Sequence, residues 1–251
     1  MAKPAGGQDI SAESWLTALE ASLLVLAAYF LAVAALVMLS PDERDLTGWL
    51  LRSSVPLLIM LIGALLVRRR SADLYELGHT RGWLGLASIG ALLLGATGGI
   101  SIGPTLPTSL APLLPEASAA AWGVIWVGVA APIIEELFFR GTLQPAIERR
   151  LGGGLAILLA GTAFTIAHLG GMPITVVPVI GLLGIAAGFA AHLTQSVLPA
   201  ITVHIGWNLG TVGISFADYT RVQSWHIMLS ACAGTLCVAS AFWLRRKGAV
   251  R

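Results

Sequence analysis

Charged side chains are scarce in this 251-residue chain. Asp, Glu, Lys and Arg make up 11% of it, whereas hydrophobic residues account for 56%. A soluble domain carries about a quarter charged residues, so a water-soluble globule is excluded. The net charge of +2 supplies no basic field for nucleic acid, and the composition excludes a disordered chain. The only cysteines, Cys232 and Cys237, would point apart on a helix and predict no disulfide. These absences predict an all-α polytopic membrane protein.

The apolar residues fall into about eight stretches, each close to the length of roughly 20 residues that a membrane-spanning helix needs. The segment before the first stretch has no apolar core and does not read as a signal peptide. Charged residues do not mark the boundaries of the later stretches, because no Asp, Glu, Lys or Arg occurs between Leu151 and Ala217. The predicted spans are 21–39, 49–67, 83–102, 119 onward, 155–169, 174–193, 198–216 and 225–244. They predict a single membrane domain over residues 1–251, with 103–118 as an outer loop.

Basic residues predict the orientation of these spans. If the N-terminus is inside, only Arg44, Arg52 and Arg221 of the 15 Lys and Arg residues fall on the outer side. The positive-inside rule then places both termini in the cytoplasm. The Ala-, Leu- and Gly-rich composition suggests a bacterial inner membrane. Glycine pairs at i, i+4, namely Gly184 with Gly188 and Gly206 with Gly210, predict close helix packing.

Six of the polar side chains within the predicted spans are candidate site residues, because such groups are costly there and point to function. They are Glu135, Glu136, Arg140, His168, His204 and Asn208. The i, i+4 spacing predicts two hydrogen-bonded pairs, Glu136 with Arg140 and His204 with Asn208. Taken singly, each has a structural explanation: a helix end at the surface, a core histidine bonded to a carbonyl, or a polar contact between helices. His192, near the turn at 196–199, is predicted to be a solvated loop residue.

Spacing along the chain predicts that these residues meet. The glycines at 152–154 are the strongest turn signal nearby and predict a hairpin of the fourth and fifth helices. Glu135 lies about 17 residues before that turn and His168 about 15 after it, so both are roughly 25 Å from the hairpin tip. The fourth helix then continues through Gly141 and Pro145, where we expect a kink.

Such a cluster has the parts for attack of water on an amide. A carboxylate beside a histidine can take a proton from water, and histidine and asparagine can donate to an oxyanion. The His-Glu-x-x-His string of zinc proteases is absent, and residues 213–216 fail the Gly-x-Ser-Gly pattern of rhomboid-type proteases. By ligand type, Glu135, His168 and His204 could also hold zinc. A non-catalytic immunity or scaffold protein that uses buried polar groups to bind a partner is a further alternative.

Three motifs in order, Glu135-Glu136-x-x-x-Arg140, Phe164-x-x-x-His168 and His204-x-x-x-Asn208, resemble the CPBP family of intramembrane glutamic endopeptidases. This family includes the type II CAAX prenyl endopeptidases and the bacterial Abi proteins. The match covers about 127–210, roughly a third of the chain. The resemblance implies an eight-helix membrane fold, and it places the catalytic core at about 119–216.

The resemblance also implies roles for the six polar residues. Glu135 and His168 would activate water, His204 and Asn208 would form an oxyanion hole, and Glu136 and Arg140 would orient the site. It implies no metal or other cofactor. The expected substrate is a membrane-associated or lipid-modified protein, and the chemistry could serve C-terminal processing or sorting.

Overall fold

The computed structural model describes residues 12–39, 46–71, 74–76, 82–102, 124–169, 174–216 and 224–248. The predicted outer loop at 103–118 and the first residues of the predicted fourth span, from 119, lie outside these ranges. The described residues form eight helical segments and contain no β-strand, which confirms the all-α prediction. The segments are α1 (Ala12–Leu39), α2 (Leu46–Arg70), α3 (Gly82–Ile102), α4 (126–151), α5 (Gly153–Ala167), α6 (Val177–Thr194), α7 (Leu198–Phe216) and α8 (Ser224–Gly248).

Within the described residues, five helices are long and apolar enough to cross a membrane. These stretches are Ala18–Leu39, Leu51–Arg70, Gly82–Ser101, Ile174–Thr194 and Ser224–Lys247. Helix α5 is apolar but shorter. The chain is therefore an integral membrane protein, as predicted. The count of eight spans and the cytoplasmic position of the termini stay predictions.

Helix α4 runs through Gly141 and Pro145, as predicted. In place of a simple α-helix it has two π-helical turns, Trp126–Ala130 and Phe139–Leu143, on either side of the α-helical segment Ala131–Phe138. Each π-helical turn is followed by a proline, which cannot donate a backbone hydrogen bond. Because Pro145 has no N–H, the carbonyl oxygen of Gly141 has no i+4 donor, and it accepts instead from Nη1 of Arg68 at 2.7 Å. The local break in the helix thus ties α4 to α2.

A tight turn at Gly152 joins α4 to α5, which confirms the predicted hairpin. Gly152 has φ +79°, a left-handed conformation that favours glycine, and its N–H donates to the carbonyl oxygen of Glu148 at 2.8 Å. Helix α5 therefore returns antiparallel to α4 and brings its C-terminal end back to the level of Glu135.

Three connections meet at the end of the molecule where α4 and α5 join. Glu148 accepts hydrogen bonds from the hydroxyl of Tyr75 and from Nδ1 of His192. His192 belongs to the last turn of α6, so our prediction of a solvated loop residue was wrong: the carboxylate of Glu148 holds its ring. Burial and the neighbouring Glu148 raise the pKa of Tyr75, which keeps its hydroxyl a donor. The N–H of Glu76 also donates to the carbonyl oxygen of Gln195 at 3.2 Å.

Glycines allow the helix backbones to touch, as predicted. A Cβ added to Gly206 would lie 2.1 Å from the carbonyl oxygen of Leu92, and one added to Gly95 would lie 2.0 Å from that of Val203. Helices α3 and α7 therefore pack with their backbones in contact. Gly184 of α6 likewise faces Gly161 of α5, where an added Cβ would be 3.2 Å from a carbonyl oxygen.

Gly95→Ala is expected to destabilise the protein, because its new methyl group would collide with backbone that cannot move aside. Overpacking of this kind costs about 1–3 kcal/mol, which thermal unfolding in detergent would detect. Gly85→Ala in the same helix is the control, since nothing lies within 4 Å of its added Cβ. Equal unfolding temperatures for the two variants would contradict the proposed contact.

Candidate active site

The structure brings the predicted polar residues of three helices together. Glu135 of α4 lies with its Oε2 atom 3.7 Å from Nε2 of His168, at the end of α5. The same oxygen lies 3.9 Å from Nε2 of His204 in α7. The predicted meeting of the fourth and fifth helices at this level is therefore confirmed, and α7 supplies the third side.

Glu136 is fully buried and holds two of its neighbours with one oxygen. Its Oε1 atom accepts from Nη1 of Arg140 at 2.9 Å and from Nδ1 of His204 at 2.8 Å. The predicted Glu136–Arg140 pair is therefore present, with both side chains 0% exposed. The contact with His204 was not predicted, because helical spacing identifies partners within one helix only.

Arg140 contacts three kinds of group that suit a buried cation: a carboxylate, a backbone carbonyl and an aromatic ring. Its Nη2 atom donates to the carbonyl oxygen of Gly184 at 2.7 Å. Its guanidinium lies over the ring of Phe164, 4.6 Å from the ring centroid. Removing a charge from water is tolerated only when such partners replace the lost hydration. Arg140 therefore anchors the site against α5 and α6.

The backbone and Glu136 define which nitrogens of the two histidines carry hydrogen. Nδ1 of His168 lies 2.8 Å from the carbonyl oxygen of Phe164, which can only accept, so Nδ1 bears the hydrogen. Nδ1 of His204 faces the carboxylate of Glu136 in the same manner. In each neutral ring Nε2 is then a free acceptor, and both Nε2 atoms face Glu135. A water placed about 2.8 Å from Glu135 and from His168 would bond to both.

The second predicted pair, His204 with Asn208, was wrong. The Nδ2 atom of Asn208 donates to the carbonyl oxygen of Val127 at 2.8 Å, while His204 binds Glu136, so the predicted bond between His204 and Asn208 is not formed. The reason lies in α4, where the N–H of Ala131 bonds Trp126 and Pro132 has no N–H. Val127 is therefore left without a donor from its own helix, and Asn208 fills that place.

Glu135 and His168 are more exposed than the two residues beneath them. Their side chains are 14% and 21% exposed, whereas His204 is 3% exposed and Glu136 is fully buried. The site therefore has an accessible pair above a buried polar layer.

Two aromatic residues at the site had no role in our sequence-based prediction. Phe164 packs against His168 and His204, with ring centroids 4.5 and 5.5 Å apart respectively. Its place in the second motif was visible, but its role as a wall between the histidines and Arg140 depends on packing. Tyr29 of α1 donates from its hydroxyl to the carbonyl oxygen of Ala167 at 3.1 Å. No signal in the sequence connects Tyr29 with a residue 138 positions later.

The described residues include no group of three or more His, Cys, Asp and Glu side chains arranged to hold a metal ion. The described cysteines, Cys232 and Cys237, are free.

Arg140→Gln is expected to destabilise the protein by about 3–5 kcal/mol, because it leaves the Glu136 carboxylate buried without its cation. Thermal unfolding in detergent measures the effect. Arg150→Gln, at an exposed position of the same helix, is the matched control. If both variants unfold at the same temperature, the buried pair does not have the importance assigned to it. A smaller loss in the Glu136→Gln, Arg140→Gln double variant would show that the two residues are coupled.

Comparison with known proteins agrees with the geometry. Residues 117–210 match the family model described as Type II CAAX prenyl endopeptidase Rce1-like. No curated protein shows a significant match to the chain. The match supports a membrane-embedded peptidase of the CAAX type that acts on a protein substrate. The resemblance predicted from the three motifs is therefore confirmed over residues 117–210, the segment that holds all six polar residues of the site.

Proposed function

We propose that this protein is an intramembrane glutamic endopeptidase that hydrolyses a peptide bond of a membrane-associated or lipid-modified protein. One observation carries the proposal: the carboxylate of Glu135 faces Nε2 of both His168 and His204 on the accessible side of a buried polar layer. A carboxylate and an acceptor nitrogen at one accessible point can bind and deprotonate water.

In the proposed first step, a water bound between Glu135 and His168 loses a proton to this pair. The hydroxide that remains adds to the carbonyl carbon of the scissile bond and forms a tetrahedral intermediate. The carbon–nitrogen bond then breaks, and the same pair returns the proton to the leaving amine. The surrounding apolar helices exclude bulk water, so only water admitted at the accessible side reacts.

The intermediate's oxyanion needs donors, and we assign this role to His204 and Asn208. Because Nδ1 of His204 already bonds Glu136, its Nε2 can donate only when the ring is a cation. Asn208 uses one N–H on Val127 and has a second N–H to offer. Glu136 and Arg140 orient the site and do not attack.

We also propose that the catalytic core spans about 119–216 within a single membrane domain, and that the site needs no metal or other cofactor. The protein would lie in a bacterial inner membrane with both termini in the cytoplasm. Connections that we assigned to the cytoplasmic side meet at one end of the molecule, at Tyr75, Glu148 and His192, which supports placing them on the same side of the membrane. C-terminal processing or sorting of a membrane protein would fit such a site.

Glu135→Gln is expected to abolish cleavage and leave the folded protein intact, because the amide keeps the shape of the carboxylate but cannot take a proton. The test is a deletion strain complemented with wild type or variant, in which mass spectrometry compares the termini of all membrane proteins. A protein cleaved only in the presence of wild type identifies the substrate.

His192→Gln is the control and is expected to restore cleavage. A fully active Glu135→Gln variant would contradict the general-base role, and an unchanged set of termini in the deletion strain would favour a non-catalytic scaffold.

Removing divalent metal is expected to leave cleavage unchanged, because the proposed base is a carboxylate that acts directly on water. The purified protein is incubated with a strong chelator and the substrate that the deletion strain identifies, and cleavage is followed on a gel. Loss of cleavage that zinc restores would support the metalloprotease alternative.

A further inference from the structure

Helix α1 lies outside the segment that matches the family, yet one of its side chains reaches the candidate site. Half of the residues from Ala18 to Leu39 are exposed, and α1 packs mainly on α2, where Val25 lies against Gly63. Tyr29 differs from the exposed side chains of α1, because its hydroxyl donates to the carbonyl oxygen of Ala167, the residue directly before His168.

The bond from Tyr29 contributes to the cap of α5. The last carbonyl groups of a helix have no donor in their own helix and need partners from elsewhere. In α5 the carbonyl oxygen of Phe164 bonds the ring of His168, and that of Thr165 accepts from the backbone N–H of His168. The carbonyl oxygen of Ile166 accepts from the N–H of Leu169. The carbonyl oxygen of Ala167 comes next along the helix, and it accepts from the hydroxyl of Tyr29.

This cap controls the position of His168. The residue lies just after the helix, with φ −92° and ψ −10°, where the regular hydrogen bonds of α5 no longer hold the backbone. Its ring faces Glu135 only while the last turn keeps the carbonyl of Phe164 under Nδ1. Loss of the Tyr29 hydroxyl would remove a partner that holds the peptide plane between Ala167 and His168, and the ring would rotate with that plane.

We propose that Tyr29 is a positioning residue of the site, which holds the end of α5 so that Nε2 of His168 faces Glu135. The first helix therefore completes a site whose other polar residues all lie in the matched segment. Only the kinetic part of the test below rests on the proposed function.

The first test measures directly which ring nitrogen of His168 carries hydrogen, and it needs no substrate. The full chain is labelled with ¹⁵N-histidine and placed in detergent micelles, where ring nitrogen shifts report which nitrogen carries hydrogen; His168→Gln assigns the signal. Wild type is expected to show His168 with hydrogen on Nδ1. In Tyr29→Phe, which keeps the ring and its packing, the His168 signal is expected to shift toward a mixture of both tautomers.

Tyr75→Phe is the matched control, because it removes a hydroxyl that bonds Glu148 at the other end of the hairpin. It is expected to shift the signal of His192 and to leave that of His168 unchanged. An unchanged His168 signal in Tyr29→Phe would overturn the proposal, and so would equal shifts of His168 and His192 in that variant.

The second test measures cleavage of the protein found uncleaved in the deletion strain. A displaced His168 is expected to lower the kcat of Tyr29→Phe by between about tenfold and about a hundredfold, with KM unchanged and Tyr75→Phe like wild type. A raised KM with unchanged kcat would place Tyr29 in substrate binding and overturn the positioning role. If no such substrate exists, the proposed function fails while the shift of His168 still decides the role of Tyr29.

Discussion

One oxygen of Glu136 holds the candidate site together. A carboxylate buried among apolar helices is tolerated only if cations or donors surround it, and here Arg140 and His204 both bond that oxygen. The cation in turn requires partners of its own, which are the carbonyl of Gly184 and the ring of Phe164. This chain of requirements links α4 to α5, α6 and α7. The buried layer therefore supports the accessible pair above it.

Two prolines extend this arrangement through the backbone. Pro132 and Pro145 each follow a π-helical turn in α4, and each leaves a carbonyl of that helix without its usual donor. Asn208 of α7 fills one of these places at Val127, and Arg68 of α2 fills the other at Gly141. The breaks in the helix thus become attachment points. A continuous α-helix would have offered neither.

Hydropathy and residue spacing predicted most of the helices and the hairpin, because both can be evaluated along the chain without knowing how the helices pack. The ends of most helices follow from apolar length, and the hairpin at Gly152 follows from a glycine that accepts positive φ. The meeting of Glu135 with His168 then required only equal distances from that turn, and the pair Glu136–Arg140 required only i, i+4 spacing. These inferences needed no knowledge of how the helices pack. The expectation for His192 failed because its partner, Glu148, comes from another helix.

The amino-acid sequence was enough to establish a membrane-embedded helical protein, its three motifs and the six polar residues. It was not enough to pair them across helices. His204 bonds Glu136 and not Asn208, and Tyr29 caps α5, because a buried donor or acceptor takes whichever partner the packed helices bring near. Local spacing fixes which residues share a helix face. Only the tertiary structure decides what that face meets, since the partners lie 68 and 138 residues away in the chain.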